Sequence, residues 1–390
     1  MMKVKADWLQ NAGAKTVCAA LNDAGFKAYF VGGCVRNALL DAPASDIDLA
    51  TDALPEQVLD IAKNSNLRAI PTGIEHGTVT VVADDEPIEI TTFRKDVETD
   101  GRRAVVAFSK DIKDDALRRD FTMNALYADI SGTVYDPLDG MEDLKNRHVQ
   151  FIEDAHQRIR EDYLRILRFF RFHAIYGDPA GGIDADALDA CASNLDGIET
   201  LSKERIGHEM RKLLAADDPA PSLASMSQSG VLMRVIAGAN TASVAPLVHL
   251  ENMVKVKPNW MRRLLALGGE DVQNALRLSK KEAQLLSQMN EVVIEASSAK
   301  VAGHILGIES GRDAMLVLAA HMGMPVSDTL EQDLQAGAEA IFPIKSADLS
   351  DHYQGATLGK RLKQLKAAWL ASDLNMTQSA LLALPNGDDA

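Results

Sequence analysis

Cysteine, aromatic residues and long apolar runs are all scarce in this chain. Its 390 residues include three cysteines, Cys18, Cys34 and Cys191. They lie far apart with no C-x-x-C pair, so neither a disulfide framework nor a zinc knuckle is available, and a reduced, cytoplasmic setting is expected. Aromatics make up 5%, which argues against a stacking-rich single-strand binder. The N-terminal MMKVKADWLQ has no apolar signal core, and the longest apolar run, around Ala314 to Val326, is too short to span a bilayer. No membrane association and no obligate protein partner are expected. None of the nine histidines forms H-E-x-x-H, which removes a zincin. The absence of G-x-x-x-x-G-K-[ST] and G-x-G-x-x-G removes a P-loop and disfavours a dinucleotide enzyme.

Basic charge is short overall, with a formal net charge of −15. Phosphate contacts supply much of the affinity for nucleic acid, so this sum counts against RNA or DNA. Its distribution does not. Basic residues gather in RIREDYLRILRFFR (158–171), KPNWMRR (257–263) and GKRLKQLK (359–366), and an acidic protein with local basic faces remains compatible with RNA.

The length allows two to four domains. The first 140 or so residues mix strand and helix signals, and the remainder reads as helix. AYFVGG (28–33) and IDLAT (47–51) read as strands around a short helix at Val35–Leu40. GTVTVVAD (77–84) and IEITTFR (88–94) read as a hairpin joined by Asp85, Glu86 and Pro87. The polar segment from Lys95 to Asp114 reads as a mobile loop, and DPLDGMEDL (136–144) as a turn-rich hinge.

Two chemical signals lie in the first fifty residues. Asp46 and Asp48 are spaced D-x-D, so on a strand both carboxylates face one way. Acidic oxygens so placed suit hard Mg²⁺, and two such ions can activate a hydroxyl and neutralise a leaving phosphate. D-x-D alone is common in solvated turns. Upstream, Gly32 and Gly33 end a strand and open a helix, where backbone N–H groups can approach a triphosphate, and Arg36 follows one turn on as a phosphate clamp. The succession of these features is more specific than either one.

The string G-G-x-V-R-x-x-L-L followed by D-x-D-L-A-T resembles the class II CCA-adding enzymes and bacterial poly(A) polymerases, in the polymerase-β-like nucleotidyltransferase superfamily. The likeness continues through RRDFTMNAL (118–126), DPLDGMEDL and REDYLRILRFFRF (160–172), covering about residues 25–215. One departure is Asn37, where that family usually has an aspartate that positions the arginine. The resemblance implies an α+β fold, with a nucleotidyltransferase head (1–140), a helical neck carrying a nucleotide-recognition helix (141–215), and a helical body and tail that bind tRNA (216–390).

It also implies an activity: template-independent addition and repair of the 3′-terminal CCA of tRNA from CTP and ATP, with two Mg²⁺ ions held by Asp46 and Asp48. Arg119 is the expected triphosphate contact and Asp120 the ribose contact, with Asn124 assisting. Asp162, Arg165, Arg168 and Arg171 recur every three residues and are expected on one stripe of a helix. Asp162 and Arg165 correspond to the family's amino-acid template, and Arg168 and Arg171 to residues holding base or phosphates. Asp162 can accept the amino group of cytosine or adenine and repels the carbonyl of uracil or guanine, while arginine donates to the adjacent ring nitrogen. Glu89 is a candidate third acidic residue.

A partial CC- or A-adding enzyme is the nearest alternative, with segment 95–114 expected to decide it. A poly(A) polymerase of the same fold is disfavoured by the acidic close, PNGDDA. A non-catalytic RNA-binding protein is disfavoured by the intact Asp46 and Asp48.

Overall fold

The computed structural model describes residues 2–43, 46–100 and 103–385. Most of the acidic closing stretch thus lies outside the described residues. The chain divides into two compact units, Met1–Leu213 with Pro221–Val235, and Leu214–Ala220 with Ile236–Ala390.

The first unit is built on a mixed seven-stranded sheet. In chain order it carries α1 (Ala12–Asp23), β1 (Ala28–Val31), α2 (Gly33–Leu39), β2 (Asp48–Thr51), α3 (Pro55–Asn64), β3 (Arg68–Gly73), β4 (Thr78–Ala83) and β5 (Glu86–Thr92). These are followed by β6 (Arg94–Asp100), β7 (Arg103–Phe108), α4 (Ile112–Leu117), β8 (Tyr127–Ala128), β9 (Val134–Tyr135) and α5 (Gly140–Lys145). The sheet order is β3-β4-β5-β2-β1-β8-β9. Only β2 and β5 run parallel; the other neighbours are antiparallel.

Alternating burial along β4 and β5 follows from their alternating apolar pattern, which commits one face to the core. Their turn is tighter than expected from Asp85–Pro87. Asp84 and Asp85 both take positive φ, 51° and 62°, the two-residue geometry that matches strand twist. α1 closes on β4 at Gly13, where a Cβ would lie 2.5 Å from the Ala83 carbonyl oxygen.

Two expectations are corrected here. The segment 95–114 is not a loop: β6 and β7 form an antiparallel hairpin with a register shift between Asp96 and Glu98, and α4 begins at Ile112. Val97 and Thr99 alternate with charged residues in 94–100, and 104–108 is the short apolar run AVVAF, two strand patterns that overall polarity conceals. In DPLDGMEDL the turn is short. Asp136 accepts from Gly140 N (2.9 Å) and Met141 N (2.8 Å), and this capping starts a helix at once.

Helices complete this unit: α6 (Ala155–Glu161), α7 (Leu164–Tyr176), α8 (Ala185–Ser193), α9 (Lys203–Leu214), α10 (Ala220–Gln228) and α11 (Val231–Val235). The expected single helix over 160–172 is broken. Asp162 is extended (φ −153°, ψ 105°) between α6 and α7, and its carboxylate accepts from Leu164 N. Aspartate competes for backbone N–H groups in this way, which favours caps over helix interiors.

The second unit is helical, with α12 (Val244–Met253), α13 (Trp260–Leu267), α14 (Val272–Ala275), α15 (Lys280–Ile294), α16 (Ala299–Met322), α17 (Leu330–Glu339), α18 (Gly355–Ala371) and α19 (Gln378–Leu382). α16 and α17 meet through glycines: a Cβ on Gly337 would lie 1.8 Å from the Lys300 carbonyl oxygen.

All three basic clusters prove to be partly internal, the first through Arg158 and Arg171. Arg262 and Arg263 are 2% and 1% exposed and share Glu251, at 2.7 and 2.8 Å. Arg263 also donates to the backbone oxygens of Leu214, Ala216 and Asp217. Arg361 is buried and donates to the carbonyls of Leu384 and Pro385. A buried guanidinium with its donors spent on carbonyls supports the fold rather than an RNA backbone. Lys360, Lys363 and Lys366 remain exposed.

Candidate active site

Strand pairing assembles the acidic side of the site. Phe30 pairs with Leu49, so the end of β1, where the glycine turn begins, lies beside the start of β2 and Asp48. Gly32 takes φ 70°, a conformation open to glycine at no steric cost. On the other side of β2, Asp48 is the register partner of Glu89 across the parallel β2–β5 pair. Partners in register project to one face, so Glu89 stands next to Asp48. Asp46 is exposed and lies two residues before β2 begins, not on the strand as D-x-D suggested.

The electrostatics of Asp48 follow from this placement. Half-buried, it has its pKa raised to about 6, by burial first and then by the Glu89 and Asp46 carboxylates, against the opposing pull of Arg119. Such an excess of negative charge favours a bound cation. Among the described residues, no three acidic, histidine or cysteine side chains form a ready metal cage. Mg²⁺ commonly takes one or two carboxylates and completes its shell with water and substrate phosphates, so this donor set fits it.

Arg119 faces the acidic row from the turn that follows α4. Its Nη2 lies 2.9 Å from Asp115 Oδ2, its Nε 3.1 Å from the Tyr127 hydroxyl, and Tyr127 donates to Asp115 at 2.8 Å. Nη1 points towards Gly32, 3.6 Å from where a Cβ would stand. The guanidinium is thus held from behind with one end towards the glycine turn. Burial would raise the Asp115 pKa, but Arg119 and Arg118 outweigh it and bring it down to about 2.

Three residues expected as ligand contacts, Arg36, Asn124 and Asp120, are engaged in one internal hydrogen-bond network. Arg36 is buried and donates to Asn37 Oδ1 (from Nε and Nη2), to Asn124 Oδ1 and to the Tyr176 hydroxyl at 2.7 Å, with the Tyr176 ring 4.0 Å from its Cζ. It therefore joins α2 to α7. Asn124 passes the link on, donating to Asp120 at 2.8 Å. Asp120 accepts from Asn124 and Phe121 N on Oδ1 and from Arg168 Nε on Oδ2, with Arg168 Nη2 paired to the same oxygen at 2.5 Å. Three hydrogen bonds occupy most of its accepting capacity. Asn37 matches the arginine-positioning role of the usual aspartate and adds a donor bond to the Pro43 carbonyl at 2.8 Å, which a carboxylate cannot make.

The four-residue stripe is distributed over different partners. Asp162 Oδ2 accepts from Arg205 on α9 at 2.6 Å. Arg165 donates to Arg118 O, Arg158 O and Glu161. Arg168 pairs with Asp120, with its side chain 30% exposed. Arg171 Nε lies 2.9 Å from Glu209 Oε2, also on α9. Sequence reasoning missed Asp115, Tyr127, Tyr176, Arg205 and Glu209. The spacings of Asp115 to Arg118 and Arg119, and of Arg205 to Glu209, were the available signals.

Comparison with known proteins adds an independent line. A family profile described as "Poly A polymerase head domain" matches residues 28–150, and one described as "Probable RNA and SrmB- binding site of polymerase A" matches residues 182–240. The human protein named CCA tRNA nucleotidyltransferase 1, mitochondrial is 32% identical over 371 residues, covering 90% of this chain and 85% of that protein. A CCA-adding enzyme of Streptococcus gordonii is 36% identical over 287 residues, covering 72% and 70%. The crystal structure of the Bacillus stearothermophilus CCA-adding enzyme in complex with CTP matches with a TM-score of 0.68 at 26% identity, covering 93% of each chain.

Proposed function

The chain belongs to the CCA-adding tRNA nucleotidyltransferase family, and on that premise we propose that it builds and repairs the 3′-terminal CCA of tRNA from CTP and ATP. The observation that carries the reading is the row formed by Glu89, Asp48 and the glycine turn across β5, β2 and β1, with Arg119 facing it.

In the reaction the 3′-hydroxyl oxygen of tRNA bonds to the α-phosphorus of the nucleotide, the bond from that phosphorus to the bridging oxygen breaks, and pyrophosphate leaves. Asp46 and Asp48 would hold two Mg²⁺ ions, which would acidify the hydroxyl and neutralise the developing charge. Asp48, with a pKa of about 6, is ionised at neutral pH and ready to serve as a ligand. Arg119 Nη1 meets the triphosphate beside Gly32 and Gly33, where no side chain blocks close approach. Arg36, Asn124 and Asp120 act behind these contacts by fixing α2 against Arg168.

Base choice falls to Asp162 and Arg165. Each Asp162 oxygen already accepts one bond, which leaves each a lone pair for the amino group of cytosine or adenine. Arg165 donates to the ring nitrogen by exchanging one of its present acceptors, and Arg168 and Arg171 contribute positive charge beside the base or phosphates. The first 140 residues act as the catalytic head, residues 141–215 as the neck that presents the base reader, and residues 216–390 as the body and tail that grip tRNA. Three buried free thiols suit a reducing location such as the cytoplasm; among the described residues no helix is long and apolar enough to cross a membrane.

The test is incubation with tRNAs ending at the discriminator base, at C and at CC, with each nucleotide supplied separately. CTP is expected to extend the first two, and ATP only the third. Extension by CTP alone or ATP alone identifies a partial-activity enzyme, and long adenosine tracts identify a poly(A) polymerase.

A further inference from the structure

α9 meets the base-reading segment through two charges of opposite sign. Arg205 and Glu209 are four residues apart, hence on one helix face. Arg205 Nη2 lies 2.6 Å from Asp162 Oδ2, and Glu209 Oε2 lies 2.9 Å from Arg171 Nε. Glu209 is 4% exposed, whereas the Arg205 and Asp162 side chains are 25% and 26% exposed. The Glu209 end is closed, and the Arg205 end is open to a ligand.

Asp162 depends on that open contact. It sits on an extended link between α6 and α7. Two bonds orient its carboxylate: Leu164 N to Oδ1 at 3.1 Å and Arg205 to Oδ2 at 2.6 Å. A carboxylate held at both oxygens cannot rotate away. That orientation matters for telling an amino group from a carbonyl, because a fixed carboxylate presents an acceptor to the base edge, whereas a free one turns aside and tolerates a carbonyl.

We infer that Arg205 is a specificity-determining positioning residue, holding the Asp162 carboxylate aimed so that it admits the amino-bearing bases and rejects uracil and guanine. This inference rests on the reading of Asp162 as the base-reading acceptor. Arg205 need not touch the nucleotide; it acts through Asp162.

The experiment is single-nucleotide extension of tRNA ending in C, using full-length Arg205→Ala, Arg205→Lys and Asp162→Ala proteins, with CTP, ATP, UTP and GTP compared at equal concentration. The readout is the ratio of correct to incorrect incorporation, which a general loss of folded protein does not move. Arg205→Ala is expected to lower that ratio by about tenfold or more, in the same direction as Asp162→Ala. Arg205→Lys, which keeps a charged donor, is expected to recover most of it. If Asp162→Ala changes base choice and Arg205→Ala does not, the inference about Arg205 is overturned while the role of Asp162 stands. If neither variant changes base choice, both are overturned. Should Arg205→Ala fail to fold, Arg205→Met carries the same comparison, because it removes the donor to Asp162 and keeps the apolar stem of the side chain.

Discussion

Asp115 holds Arg119 from the side away from the acidic row, 2.9 Å from its Nη2, and takes a second hydrogen bond from Tyr127. An arginine fixed in this way loses little further freedom on meeting a phosphate, so the pair pre-organises the triphosphate contact.

Tyr127→Phe tests that arrangement. The hydroxyl bonds to both Asp115 and Arg119, and its removal leaves two buried groups short of a partner at a cost of about 1–3 kcal/mol. Denaturant unfolding should show that loss. The KM for CTP and for ATP should rise together, while tRNA affinity stays unchanged. An unaltered KM for both nucleotides would separate Arg119 from triphosphate binding.

Acid sensitivity follows from Asp120. Burial would raise its pKa, but Arg168 and Asn124 outweigh burial and bring it down to about 2. A folded-state pKa below the usual 3.8 means that the stabilisation is present above about pH 4 and disappears as pH falls towards 2. Across that window Asp120 accounts for about 2–3 kcal/mol. Urea unfolding at stepped pH should therefore show a shallower acid loss for Asp120→Asn than for the natural chain. Parallel curves would contradict this assignment.

The basic segment 359–366 separates into two roles. Arg361, buried against the carbonyls of Leu384 and Pro385, should lower stability when changed to alanine, with loss of the protection around α18 in hydrogen exchange. Lys363→Glu with Lys366→Glu, at exposed positions, should leave the melting temperature unchanged and raise the KM for tRNA, with a weaker salt dependence of binding. Unmoved tRNA binding would remove α18 from the RNA contact surface.

Strands β1, β2, β4 and β5 were legible because local patterns dictate them, whereas β3, β8, β9 and the register that sets Glu89 beside Asp48 were not. Alternating apolar residues mark β4 and β5, and a glycine pair at a strand end marks the turn. What could not be read was which charges face each other across the fold. Arg36, Arg119 and Arg168 look alike as surface-capable cations in sequence. Only tertiary packing commits Arg36 to Asn37, Asn124 and Tyr176, leaves Arg119 one free end, and spends Asp120 on Arg168. The break at Asp162 was hidden by a helical spacing of arginines that continues on either side of it. The hairpin of β6 and β7 was hidden by polarity, since a strand pair away from the main sheet needs no continuous apolar face. The buried arginines of 257–263 and Arg361 show the same limit, because the acids and carbonyls that neutralise them lie far away in sequence.

The central claim is that Asp48, beside Glu89 and facing Arg119, anchors nucleotidyl transfer. The direct measurement is single-turnover transfer from CTP to tRNA ending at the discriminator base, together with tRNA binding, for Asp48→Asn. Transfer should fall by about two to three powers of ten while tRNA affinity stays within about twofold, since the carboxylate meets metal and not RNA. Near-normal transfer by this variant would contradict the account.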